Sequence, residues 1–184
     1  MQSVEENFDL SSLREYTVEA GRPDTVTEEK LQTLKKHNVG RISINPQTFS
    51  DSVLKEIGRR HSASLTEEKY LLAREIGFDS INMDLIAGLP TDTLEGFKKS
   101  VDKAVSLNPD NITVHTLALK TSSFIVTENE SGSVTDESIN QMLSYAQKVL
   151  TENGYYPYYM YRQSKTVGNL ENVGYAVKGA ECLY

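Results

Sequence analysis

Apolar residues along this chain fall into two alternating rhythms. Short runs with β-branched and aromatic residues, at 14–20, 41–47, 80–88, 111–120 and 155–163, read as strands. Between them, apolar positions recur at helical spacing over 26–38, 65–77, 93–108 and 135–154, with a shorter helix at 50–58. In the helix at 93–108, Leu94, Phe97, Val101 and Val105 form one stripe. Start signals precede three of the helices. Thr25 with Glu28 and Ser64 with Glu67 have the spacing of a capping box, and Asp92 with Glu95 resembles one. Gly40, Gly58, Gly77, Pro109 and Gly154 follow helix ends. The order is β-α-β-α-α-β-α-β-α-β. Such alternation predicts an α/β fold with a parallel sheet of about five strands joined by helical crossovers. Pro157 favours an edge or a strand start for the last of them. An open sheet and a closed barrel both fit this order.

Composition narrows the class. The chain has 184 residues, 38% hydrophobic and 24% charged, which suits one domain with a real core. A net charge of -7 argues against general nucleic-acid binding. No apolar run approaches the ~18 residues of a membrane span. The acidic start "MQSVEENFDL" lacks the apolar region of a signal peptide. A single cysteine, Cys182, excludes an intrachain disulfide and a multi-cysteine metal site within this chain. These features point to the cytoplasm. The polar stretch 127–138 reads as a loop, so the whole of 1–184 is one domain.

The chemistry sits at the strand ends. In parallel α/β folds, ligands gather where strands end. There the chain carries Glu19, then Asn45 and Gln47, then Asp84, then His115 and Lys120, then Arg162 and Gln163. A carboxylate such as Asp84 inside "NMDLIAG" is costly to bury without a partner. A ligand hydroxyl or amine, or a neighbouring arginine, would serve. The turn "GLPTDT" after it offers a glycine and free amides for close approach to a ligand. Arg59, Arg60 and His61 follow a short helix, whose dipole they complement, and an arginine there also suits a ligand carboxylate. No G-x-G-x-x-G or Walker motif occurs.

Together, "EAGRPDT", "RISINPQTFSDSVLKEIGRRHS", "INMDLIAGLPTDTLEGF", "NPDNITVHTLALK" and "YMYRQSKTVGNLENVGYA" resemble the radical S-adenosylmethionine (SAM) family of oxygen-independent coproporphyrinogen III oxidases. The resemblance runs from about Glu15 onward, in the family's order. It implies an incomplete (β/α)6, TIM-like barrel. It matches Glu19, Gln47, Arg59 and Asp84 to positions lining the SAM site, and Ala118 to a backbone contact with SAM. It implies oxidative decarboxylation of coproporphyrinogen III propionates to vinyl groups by a SAM-derived radical. Lys120, Arg162 and Lys165 are then candidate partners for the substrate's carboxylates.

The family's C-x-x-x-C-x-x-C motif, which holds a [4Fe–4S] cluster, is absent. The expectation is therefore a fragment of a longer protein, inactive alone, with no metal ligands of its own. Other readings of the same barrel are a haem-binding chaperone and a different radical SAM reaction. A fragment of this kind would expose a sheet edge at 14–20. Self-association there is expected, or else cover by a helix formed from "FDLSSL".

Overall fold

Arg41, Ser43 and Asn45 alternate with Ile42 and Ile44, so the second strand presents one polar and one apolar face. The same alternation organises the sheet around it. The computed structural model describes residues 1–117, 135–162 and 171–183. Its helices are α1 (Gln2–Asn7), α2 (Glu28–Lys36), α3 (Asp51–Glu56), α4 (Ala63–Ile76), α5 (Leu94–Leu107) and α6 (Asp136–Glu152). Its strands are β1 (Thr17–Gly21), β2 (Arg41–Ile44), β3 (Ser80–Ala87), β4 (Asn111–Thr116), β5 (Tyr156–Arg162) and β6 (Glu171–Ala176).

The sheet has six strands in the order β1-β2-β3-β4-β6-β5. The first four pair in parallel, and β6 runs antiparallel to both β4 and β5. The expected parallel sheet is thus correct for its first four strands. The fifth strand does not pair with β4, because a sixth strand enters between them as the return arm of a hairpin. The sequence pattern places no strand after Gln163 in "RQSKTVGNLENVGY". In the structure its second half is β6, with Tyr175 and Ala176 buried by pairing on both sides.

The apolar face carries Ile42, Ile44, Ile81, Met83, Leu85, Ala87, Ile112 and Val114, all nearly inaccessible. The apolar sides of the helices pack against it: Leu31 of α2, Tyr70 and Ala73 of α4, Phe97, Val101 and Ala104 of α5, and Met142, Ala146 and Leu150 of α6. Each large side chain buried in this layer contributes about 1.5–3 kcal/mol. The opposite face carries Glu19, Ser43, Asn82, Asp84, Thr113 and His115. Register places Ser43 beside Asn82, and Asp84 beside Thr113. One dry face and one polar face explain why helices cover only one side.

The helix starts differ from the sequence expectation at every cap. Thr27, not Thr25, caps α2, accepting from Lys30 N; Ser62, not Ser64, caps α4, accepting from Leu65 N; Thr93, not Asp92, caps α5, accepting from Gly96 N. Pro23–Thr25 forms a 3-10 turn in which Thr25 Oγ1 donates to Arg22 O, and this holds Thr25 outside the helix. Gly88 has φ +84°, and a Cβ there would meet Ile139 Cδ1 at 2.9 Å, so the glycine lets α6 approach the strand end.

β1 lies at one edge of the sheet. The helix preceding it is Gln2–Asn7 and not "FDLSSL", whose Phe8 is 66% exposed. α1 is tied through Glu5 to His37 and through Met1 Sδ to the Tyr16 hydroxyl. It sits beside the entry end of the strand and adds nothing to its ladder.

Candidate active site

The polar face is a connected set of hydrogen bonds. Glu19 lies near the exit of β1, where a register shift between Val18 and Gly21 loosens the pairing with β2. Its Oε1 accepts from Ser43 Oγ at 2.7 Å and from Asn45 Nδ2 at 2.8 Å. The amide oxygen of the same side chain, Asn45 Oδ1, is buried and has no hydrogen-bond partner among the described residues. Further along, Thr113 Oγ1 donates to Asn82 Oδ1 at 3.1 Å, and Asn82 Nδ2 donates to Asp84 Oδ1 at 2.7 Å. His115 Nε2 stands 3.6 Å from the same Asp84 oxygen. The partners of Asp84 among the described residues are thus an amide and an imidazole, with no arginine in contact.

Gln47 completes this rim by unusual means. Pro46 has no N–H, so the β2–β3 ladder breaks there. Gln47 turns into the left-handed region, φ +67°, and re-enters the ladder one residue later. Its N–H donates to Asp84 O and its carbonyl accepts from Ile86 N, both at 2.9 Å. Glu19 on β1 and Asp84 on β3 thus share the polar face, and Gln47 bridges to β3 just past the end of β2.

Arg59 lies in the loop between α3 and α4, half-buried, with its N–H on Leu54 O at 2.8 Å. Its charge acts on His61, as does that of Arg22. His61 is 4% exposed, with Nε2 3.1 Å from Pro46 O and Nδ1 3.9 Å from Asp24 Oδ1. Desolvation is the main reason its pKa falls below the usual 6.5. Asp24 in turn accepts from Arg22 at 3.0 and 2.7 Å, and these bonds hold its carboxyl below its ordinary value.

Arg162 ends β5, but its side chain lies outside the described residues. Ala118, Lys120 and Lys165 also lie outside them. Sequence reasoning named Asn45 among the strand-end residues and missed Ser43, Asn82 and Thr113. The signal was present as polar residues at every second position of "RISIN", "SINMD" and "NITVH".

Comparison with known proteins agrees with this geometry. The radical SAM superfamily model matches residues 5–104. The chain belongs to that superfamily. It is 48% identical over 177 residues to the oxygen-independent coproporphyrinogen-III oxidase-like protein HemZ of Bacillus subtilis, covering 96% of this chain and 35% of that protein. It is 41% identical over 110 residues to the haem chaperone HemW of the same organism, covering 60% of this chain and 29% of HemW. Among solved structures, coproporphyrinogen III oxidase (HemN) from Escherichia coli superposes with a TM-score of 0.80 at 25% identity, over 98% of this chain and 39% of that one. The chain thus spans about a third of the length of these relatives. The mostly parallel sheet is that of a radical SAM, TIM-barrel-like architecture.

Radical SAM enzymes use SAM and a [4Fe–4S] cluster. The residues of this chain fit the first and not the second. A carboxylate pair, an amide turn and a buried amide oxygen lacking a donor suit a ligand rich in hydroxyls and an ammonium group. A cluster needs several cysteine thiolates, whereas Cys182 is the one cysteine in the sequence, and its Sγ lies 3.1 Å from Glu15 Oε1. Among the described residues no group of acidic, histidine or cysteine side chains is placed to hold a metal, and no helix is long and apolar enough to cross a membrane.

Proposed function

We propose that this chain is the SAM-binding and substrate-facing part of a radical SAM oxidoreductase acting on coproporphyrinogen III. The polar sheet face is the observation that carries the reading. Glu19 and Asp84 stand on it, and Gln47 bridges from the turn after β2 to Leu85 beside them, in a chain 48% identical to a coproporphyrinogen oxidase-like protein. Asp84 and Glu19 would take the ribose hydroxyls and the amino group of SAM, Gln47 would contribute its amide, and Arg59 would clamp the methionine carboxylate. Ala118 is proposed to add a backbone contact. When bound with its cluster, SAM supplies the radical that starts oxidative decarboxylation of a propionate to a vinyl group. The chain's own residues bind and orient. Lys120, Arg162 and Lys165 are proposed to meet the substrate's carboxylates.

The thiolates for the cluster must come from outside this chain, so we propose that it works within a longer protein and is inactive alone. The test has two parts. This chain should bind SAM in calorimetry without an iron–sulfur absorbance band after anaerobic reconstitution. A longer protein carrying the cysteines should convert coproporphyrinogen III, with loss of carbon dioxide and two hydrogens per propionate by mass. Failure of SAM to bind, or turnover by this chain alone, would overturn the reading.

The likeness to HemW favours a second reading, a haem chaperone. A haem difference spectrum separates the two. Stable haem uptake with no decarboxylated product would select the chaperone.

A further inference from the structure

His61 joins three loops of the rim, and none of the proposed SAM contacts explains why it is buried there. Its ring sits between the turn after β1, through Asp24, and the turn after β2, through Pro46. It belongs itself to the loop that carries Arg59. A carbonyl can only accept, so at 3.1 Å the proton must lie on Nε2, pointing at Pro46 O. In the neutral ring Nδ1 keeps a lone pair. That atom is buried and has no hydrogen-bond partner among the described residues. Burying a donor or acceptor in this way is costly unless the other end of the ring is needed.

The need lies in Pro46. The left-handed turn at Gln47 swings the Pro46 carbonyl out of the β2–β3 ladder. A residue with a Cβ holds that conformation only where its surroundings over-determine it. Three bonds do so here: Gln47 N to Asp84 O, Ile86 N to Gln47 O, and His61 Nε2 to Pro46 O. The first two bind the turn to β3. The third is the one tie to the Arg59 loop among them.

We propose that His61 is a positioning residue, which holds the Pro46–Gln47 turn and sets the spacing between Gln47 and Arg59. The assignment rests on the reading of this rim as the SAM site, and its role is to pre-order two contacts on different loops. Asp24, held by Arg22, closes the buried ring on its other side without bonding to it.

Ring-nitrogen NMR of the labelled chain at neutral pH should show Nε2–H with Nδ1 unprotonated. His61→Leu removes the donor at similar volume, and His61→Gln keeps an N–H at about the reach of Nε2. Losing one buried hydrogen bond of about 1.4 kcal/mol corresponds to tenfold. His61→Leu should therefore speed amide exchange at Gln47 about tenfold and weaken SAM about tenfold, while His61→Gln should stay within about threefold on both. Unchanged exchange and affinity in His61→Leu, or a proton found on Nδ1, would overturn the proposal. If His61→Leu does not fold, the tautomer and the ability of His61→Gln, but not His61→Asn, to retain Gln47 protection decide it. If the unaltered chain fails to bind SAM, the reading of the rim has failed, and the exchange and tautomer results still decide the role of His61.

Discussion

The carboxylate of Asp84 reaches diagonally across the β3–β4 pair to within 3.6 Å of His115 Nε2, although its direct partner in register is Thr113. Diagonal reach of this kind is open to long side chains on one sheet face. It leaves the carboxylate on the polar face of the sheet, with Asn82 the one direct donor to it among the described residues. Asp84→Asn keeps the shape and an oxygen for the Asn82 amide, and removes the charge. The expected result is a thermal midpoint within about 4 °C of the unaltered chain. SAM affinity should fall at least about tenfold, the weight of a charged hydrogen bond. Calorimetry beside a thermal melt checks both. Equal SAM affinity would remove Asp84 from the site.

Gly174 and Tyr158 make a second testable pair. A Cβ built at Gly174 would meet the Tyr158 ring at 3.2 Å, so that ring crosses the strand over the glycine. Thr113 is the register partner of Gly174 on β4, which puts the tyrosine on the polar face. Gly174→Ala is expected to destabilise by about 1–2 kcal/mol through overpacking. In a Tyr158→Ala background the same change should cost less than about 0.5 kcal/mol, since the obstruction is gone. Urea unfolding of the four proteins measures the coupling. An equal cost in both backgrounds would show that the ring is not what the glycine accommodates.

Much of this was legible in the sequence, and the misses have physical causes. Strands β1 to β4 and the helices between them follow from periodicity, because each buries one face. β6 escaped because "NLENVGYA" contains a glycine and two asparagines, poor strand formers in isolation. Its stability comes from pairing with β4 and β5 on its two sides, a non-local effect. The caps shifted by one or two residues because a serine or threonine stood close to each expected cap, and backbone geometry chose between them. At the site, Glu19, Gln47 and Asp84 were visible as polar residues at strand ends. His61 was visible only as one of three basic residues in "RRH". Its burial against Pro46 depends on how α3 and α4 fold back, which local pattern does not encode.

Protonation gives a prediction of fixed sign. Burial lowers the pKa of His61 in the folded chain below 6.5, so the unfolded chain takes up the proton first as pH falls. The unfolded state then binds more protons, and stability drops on acidification below about pH 6.5. One group can contribute a slope of at most about 1.4 kcal/mol per pH unit. Asp24 has the same sense in a lower window, since its pKa is held below 3.8. Urea midpoints between pH 5 and 7 should therefore fall less steeply in His61→Gln than in the unaltered chain. Parallel pH profiles would mean that the ring already carries its proton in the fold.

The open edge of β1 leads to the last prediction. Among the described residues β1 pairs only with β2, and α1 is engaged elsewhere, with His37 and Tyr16. Along the free side runs a groove of about 640 Å³ between β1 and α2, lined in part by Val18, Ala20, Val26, Leu31 and Leu34. Val18 and Ala20 are only half-buried, with apolar neighbours on one side. An edge with unpaired backbone and an apolar flank is a template for another strand. We propose that a second copy of this chain takes that place when the chain is alone in solution. Pairing of two β1 edges about a two-fold axis would be antiparallel, which the short strand permits without rearrangement. Light scattering should show a mass that rises towards the dimer with concentration. Thr17→Lys puts a charge on an exposed edge position and should shift that rise to higher concentration. A constant monomer mass, with the β1 amides exchanging slowly, would mean that the edge is covered within one chain.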